Sequence, residues 1–199
     1  KTALIISTLG PARDKQWREN TPTMYDQPMG GIHDPISNLY FYVDMGLKQL
    51  RVLKISHRPA DNEVVIKSKL RRPTDVALIG SNLYITDSDF EHPCLWVVSV
   101  AAVRKRFSAA AIAVADGSDT DTIQKLSLGV GGEVLQEPYG IVADASGSSL
   151  YVSDRAGKQL VRVVLSTPTH GCTELVASLS QAPAGIDLVG CESVVLAAG

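Results

Sequence analysis

PYGIVADASGSSLYVSDRAGKQLVRVV, residues 138–164, is the stretch that decides the fold. Three short runs rich in Val, Ile, Leu and Tyr, at 138–144, 150–154 and 158–164, are separated by the Asp, Ser, Gly and Lys residues of tight turns. Strands of that length joined by such turns pair antiparallel, so the stretch reads as a small meander. Pro138 at the entry has no N–H to offer a ladder and suits the first position of a strand. Gly140, two residues on, permits close backbone approach at a crowded centre. Asp154, closing the second run, is placed to cap the following turn through its side chain.

The pattern occurs three more times. One copy runs Pro73-Thr74-Asp75-Val76, Leu83-Tyr84-Ile85-Thr86-Asp87 and Leu95-Trp96-Val97-Val98. An earlier one runs Pro28-Met29-Gly30-Gly31-Ile32, Tyr40-Phe41-Tyr42-Val43-Asp44 and Lys48-Gln49-Leu50-Arg51-Val52-Leu53. The last begins Pro183-Ala184-Gly185-Ile186 and reaches Val194-Val195-Leu196. The prolines stand 45, 65 and 45 residues apart, so the second full unit carries about 20 additional residues, placed at about 101–121 as a short helix or extended excursion. A fourth strand is predicted at 63–69, 122–128 and 173–179, with residues 3–8 as the remnant of a preceding unit. Four strands in about 45 residues is the size of a β-propeller blade. The expected class is all-β: one propeller domain over residues 1–199, built of about four antiparallel blades of four strands.

The motif P-x-G-[IV], followed by aliphatic-Tyr-[IV]-[ST]-Asp, resembles the NHL repeat over about residues 28–199. That family forms β-propellers, usually of six blades. A six-bladed ring of this period needs about 260 residues, so the sequence is expected to continue before Lys1, beyond Gly199, or both. Two departures stand out. Lys48-Gln49 and Lys158-Gln159 replace the family's Asn-x-Arg or Asn-Arg, and Asp75 stands where Gly is usual.

With Lys+Arg 19 against Asp+Glu 21, the net charge of −2 supplies no global field for nucleic acid or an acidic membrane. The basic clusters Lys67, Lys69, Arg71, Arg72 and Arg104-Lys105-Arg106 are read as solvated strand and loop charges, so a nucleic-acid partner is not expected. The longest apolar runs, such as Leu95 to Val98 and Ala109 to Ala115, fall far short of the roughly 20 residues of a membrane span. Three cysteines, Cys94, Cys172 and Cys191, allow one intrachain disulfide at most, with Cys172 and Cys191 the candidate pair. The sequence assigns no compartment.

No GxSxG, GxGxxG, P-loop or HExxH motif occurs. The recognisable residues are architectural, and the leading expectation is a non-enzymatic scaffold presenting a face to a protein or peptide, with no cofactor. The contact candidates are the residues that follow the entry prolines: Met29, Thr74, Tyr139 and Ala184. The alternative is a metal-dependent hydrolase or lyase with Zn or Ca in the central channel. The resemblance implies its form, since amidating-lyase propellers hold zinc by channel histidines and lactonase propellers hold calcium by carboxylates. His33 and Asp187 are the residues placed for that role. Asp34 and Asp144, like the loop Asp116-Gly117-Ser118-Asp119-Thr120-Asp121, are read as turn residues.

Overall fold

The computed structural model describes residues 27–54, 62–66, 69–108, 123–129, 134–189 and 193–198. Residues 3–8, the loop at 116–121 and Cys191 lie outside them. The four prolines open four innermost strands, as the repeat predicts. The first blade consists of β1 (Pro28–Asp34), β2 (Leu39–Asp44), β3 (Gln49–Lys54) and β4 (Asn62–Ile66). The second holds β5 (Pro73–Ile79), β6 (Asn82–Asp87), β7 (Cys94–Ser99) and β8 (Ile123–Lys125), with helix α1 (Ala101–Ser108) inserted before β8. The short β9 (Ser127–Leu128) follows. The third contains β10 (Pro138–Ala143), β11 (Ser149–Asp154), β12 (Gln159–Thr167) and β13 (His170–Ser178); of the fourth, β14 (Pro183–Val189) and β15 (Ser193–Ala198) are described. The chain is thus an all-β propeller of antiparallel blades.

One expected strand serves two sheets. Residues 122–128 were predicted as the outer strand of the second blade, yet only Ile123–Lys125 pairs with β7. At Leu126 the chain crosses over, and β9 pairs parallel to β13 of the third blade, Ser127 opposite His170 and Leu128 opposite Gly171. Leu126 is buried in the core between the two blades, so the crossing is anchored by apolar burial. The outer hairpin of the third blade is longer than the periodicity indicates, because β12 continues to Thr167, which pairs with His170 around a tight turn.

Between blades lie two hydrophobic cores. Leu39, Phe41, Val43 and Leu50 of the first blade meet Val76, Leu83, Ile85 and Val98 of the second. The opposite face of the second blade sends Ala77, Tyr84, Leu95 and Val97 against Ile141, Leu150, Val152 and Val161 of the third. Alternation along each strand directs successive residues to opposite neighbours, so both faces of a middle blade must be apolar. Fully burying each large side chain contributes about 1.5–3 kcal/mol.

The clamp that recurs in every full blade is a buried carboxylate. Each entry proline lies opposite the Asp that closes the second strand: Pro28 and Asp44, Pro73 and Asp87, Pro138 and Asp154. The residue before each proline donates its N–H to that Asp, Gln27 to Asp44 Oδ1 at 3.1 Å, Arg72 to Asp87 Oδ1 at 2.7 Å and Glu137 to Asp154 Oδ1 at 2.7 Å. Its carbonyl accepts from the residue after the Asp, Met45, Ser88 or Arg155, at 2.9, 2.9 and 3.0 Å. The carboxylates also hold the following turn, through Leu47 N–H to Asp44 and Gly157 N–H to Asp154. Gln159, one residue after the turn, donates Nε2–H to Asp154 Oδ2 at 3.0 Å. The preceding Lys48 and Lys158 take left-handed backbones, φ 56° and 47°.

The insertion locks two blades together. Arg104 of α1 donates to both oxygens of Asp34, from Nε at 2.7 Å and Nη2 at 2.9 Å, and to Gly80 O and Ser81 Oγ at 2.9 Å each. Asp34 is 0 % exposed and also accepts from Ile36 N–H and Ser37 Oγ–H. Burial works against its ionisation, but the hydrogen bonds from Arg104, Ser37 and Ile36 prevail and hold its pKa below the usual carboxylate range.

Asp154→Ala orphans the N–H groups of Gln136 and Glu137 and the Gln159 amide. Denaturant unfolding should show a loss of about 2–5 kcal/mol, with Asp154→Asn intermediate. Arg104→Met leaves Asp34 as an uncompensated buried charge and should cost about 3–5 kcal/mol at neutral pH by the same measurement.

Candidate functional site

The innermost strands stand side by side in the order β1, β5, β10, β14. Each begins with a bulge just after its proline, so the third residue of the motif falls at the closest approach to the next blade. At Gly140 a Cβ would come within 2.8 Å of Ile186 Cγ2 and 2.9 Å of Ser153 Oγ, the hydroxyl that accepts the Gly140 N–H. Glycine there is a packing requirement, as the sequence indicates.

Asp75 breaks the pattern by placing a carboxylate at that position. Its Oδ2 accepts the Ile141 N–H of the third blade at 3.0 Å and its Oδ1 the Val76 N–H at 2.8 Å. On the other side it fills the space beside Gly30, where a Cβ would fall 1.7 Å from Oδ1. Burial, offset by the two backbone donors and reinforced by the charge of Asp187, raises its pKa to about 6. The Tyr40 ring lies across Gly31, and burial together with the Asp75 charge pushes its hydroxyl pKa up. Asp75, Tyr40 and Asp187 thus share one electrostatic environment at the inner strands. The sequence signal was the departure from Gly at position 75, read there only as a departure.

His33 lies on β1 and Asp187 on β14, with β5 and β10 between them. His33 follows Ile32, which packs toward the second blade, so it takes the other face of β1, where its Nε2 is 3.0 Å from Asn38 Oδ1. Asp187 is exposed. Asp144 is taken up by its own turn, accepting from Ser146 Oγ–H and from the N–H groups of Ser148 and Ser149.

The four contact candidates fare differently. Thr74 is 2 % exposed and joins blades. Its hydroxyl donates to Tyr139 O at 2.8 Å beside Thr86, which donates to the same carbonyl at 2.9 Å. Met29 packs partly buried against the first core. Ala184 is exposed. Tyr139 is half-buried, with the Arg155 guanidinium stacked on its ring at 4.6 Å.

Tyr139 belongs to a continuous strip the sequence did not reveal. On the margin formed by the entry arms and the second-to-third-strand loops, Arg72 stacks on Phe90 at 4.4 Å and pairs with Glu137 at 3.1 Å. Glu137 reaches Arg155 at 3.7 Å, and Arg155 covers Tyr139. Phe90 is 78 % exposed. The strip crosses from the second blade to the third, uniting residues 65 positions apart in sequence.

The arrangement defines a β-propeller, and solved structures agree. The chain is similar to a chain in a nidogen–laminin complex, at 18 % identity and TM-score 0.56, covering 80 % of this chain and 51 % of that one. It is similar to hydrazine synthase of Kuenenia stuttgartiensis, at 13 % identity and TM-score 0.57, covering 89 % and 43 %. It is also similar to a Bacteroides fragilis protein assigned as a 6-phosphogluconolactonase, at 13 % identity and TM-score 0.54, covering 79 % and 40 %. At these identities the likeness is one of fold, and this chain spans about half the length of those chains or less. No family model matches the sequence, and no curated protein matches it.

Two outcomes are expected from Asp75. The folded protein holds its proton up to about pH 6, whereas the unfolded chain releases it near pH 4. The folded state therefore binds more protons between those values, and stability should fall as pH rises from about 4 to 6, by up to about 3 kcal/mol, then level off. Asp75→Asn should remove that slope in urea titrations across the range. Gly30→Ala should cost at least about 2 kcal/mol, part of which Asp75→Ala restores in a double-mutant cycle.

Proposed function

We propose that this propeller is an NHL-type scaffold that recognises a protein or peptide through the strip of Arg72, Phe90, Glu137, Tyr139 and Arg155. The carrying observation is the aromatic-arginine alternation across two blades, half-buried at Arg72, Tyr139 and Arg155 and 78 % exposed at Phe90. Arg and aromatic side chains dominate the energetic centres of interfaces, because they bury much area at small entropic cost. Here they are pre-ordered by stacking and by the shared Glu137, which lowers the cost of fixing them on binding. The backbone beneath is rigid, since Glu137 and Arg72 are the residues whose N–H groups the buried Asp154 and Asp87 hold. A propeller in complex with a second protein, as in the nidogen–laminin structure, is compatible with this reading.

Phe90→Ala and Tyr139→Ala should each weaken a purified partner by about tenfold or more in calorimetric titration. Phe90→Ala should leave unfolding free energy within about 0.5 kcal/mol of the parent. Affinity unchanged in both variants would place recognition on another face. Stoichiometric zinc or calcium in the purified protein, lost in His33→Ala or Asp187→Ala, would instead support the channel hydrolase or lyase reading.

A further inference from the structure

Phe90 and Val134 are two of the five large hydrophobic side chains that stay exposed among the described residues, at 78 % and 75 %. Both stand on the margin that carries the strip. Phe90 has Arg72 stacked on its ring. Val134 lies on the entry arm of the third blade, three residues before Glu137. Its carbonyl oxygen is 3.4 Å from Gln159 Nε2, the atom that also donates to the clamp carboxylate Asp154. The margin therefore presents one exposed apolar side chain from each of two blades, alongside the stacked pair of Arg155 and Tyr139.

The charges along this margin cancel. Arg71 pairs with Asp89 at 3.3 Å and Glu91 at 3.9 Å, the residues on either side of Phe90, and Glu137 serves both Arg72 at 3.1 Å and Arg155 at 3.7 Å. Three guanidiniums thus face three carboxylates, which gives a charged partner of either sign no net attraction. Ring surface and hydrogen-bond donors are what the strip has to offer. The contacts of Arg72 and Arg155 with Ser88 O and Glu137 run through Nη1, so Nε–H and Nη2–H are left to donate. A guanidinium accepts nothing in return. A matching ligand is uncharged, apolar and rich in acceptors.

We infer that the partner of the strip is an uncharged, proline-rich segment in the polyproline II conformation, laid over Phe90, Tyr139 and Val134 with carbonyls accepting from Arg72 and Arg155. A polyproline II chain makes no internal hydrogen bonds, so all its carbonyls can accept, and proline brings an apolar ring without an N–H to satisfy. Its conformation is set before binding, which lowers the ordering cost, and aromatic-lined surfaces are the ones that take such chains. The inference rests on the strip being the recognition surface and names what that surface recognises.

Blocked decaproline, about 30 Å long in this conformation, presents a ring at every position, so it binds whatever the register. Titrated calorimetrically into the whole chain, it should bind saturably, with affinity changing less than about twofold between about 0.05 and 0.5 M salt. Phe90→Ser should weaken it about tenfold and Val134→Ser about fivefold, neither moving the unfolding midpoint. Ile36→Ser, which removes a side chain 76 % exposed beside Asp34 on the opposite margin, should leave affinity unchanged. Arg155→Lys keeps the charge but loses the planar stack, and should weaken binding about fivefold. Blocked hexaglutamate and hexalysine separate this inference from the reading beneath it. A charged peptide bound in a Phe90-dependent manner, with decaproline unbound, would overturn the inference and keep the strip; decaproline bound equally by the parent, Phe90→Ser and Val134→Ser would overturn both. Absence of saturable decaproline binding, or affinity that falls steeply with salt, would overturn the inference.

Discussion

The first three blades of this propeller each hang on one buried carboxylate. An entry proline cannot donate to the ladder, and the Asp opposite it, Asp44, Asp87 or Asp154, supplies the missing connection by accepting the N–H of the residue before the proline. A buried carboxylate is costly unless it is fully hydrogen-bonded. Each of these accepts two or more bonds, some from the entry arm and some from the turn that follows or from a neighbouring side chain. That double engagement fixes where the chain re-enters the centre, and so the angle at which the next blade is laid down.

From that constraint follows the crowding of the inner strands. With the entry arm fixed, the third residue of the motif meets the neighbouring blade, and glycine at 30 and 140 leaves room for it. Asp75 uses the same room differently. It reaches into the space beside Gly30 and accepts an N–H from Ile141, joining three blades through one side chain. Its raised pKa is the electrostatic consequence of that position, where burial outweighs two backbone donors.

The two margins of the blades have separate tasks. On one, Asp34, Arg104 and the β5–β6 turn form a closed ion-paired lock, so the arginine of a basic cluster is a structural key and not a free charge. On the other, the carboxylate clamps lie beneath the aromatic-arginine strip, whose exposed member is Phe90. A rigid backbone under pre-stacked side chains suits the recognition surface proposed above.

By itself the sequence determined the fold class, the four entry points, the closing aspartates and the need for glycine at position 140, because strand alternation, turn composition and a repeated period are local or periodic signals. Even the two-faced apolar pattern of the middle blades is written in residues such as Val76, Ala77, Leu83 and Tyr84. Tertiary structure alone decided that Thr74 turns inward to the next blade, that residues 122–128 divide between two sheets, and that β5 and β10 stand between the strands of His33 and Asp187. It alone joined Arg72 to Glu137. The physical reason is common to all of these. Each depends on which blade lies beside which and at what angle, and contacts between residues far apart in sequence leave no periodic trace along the chain.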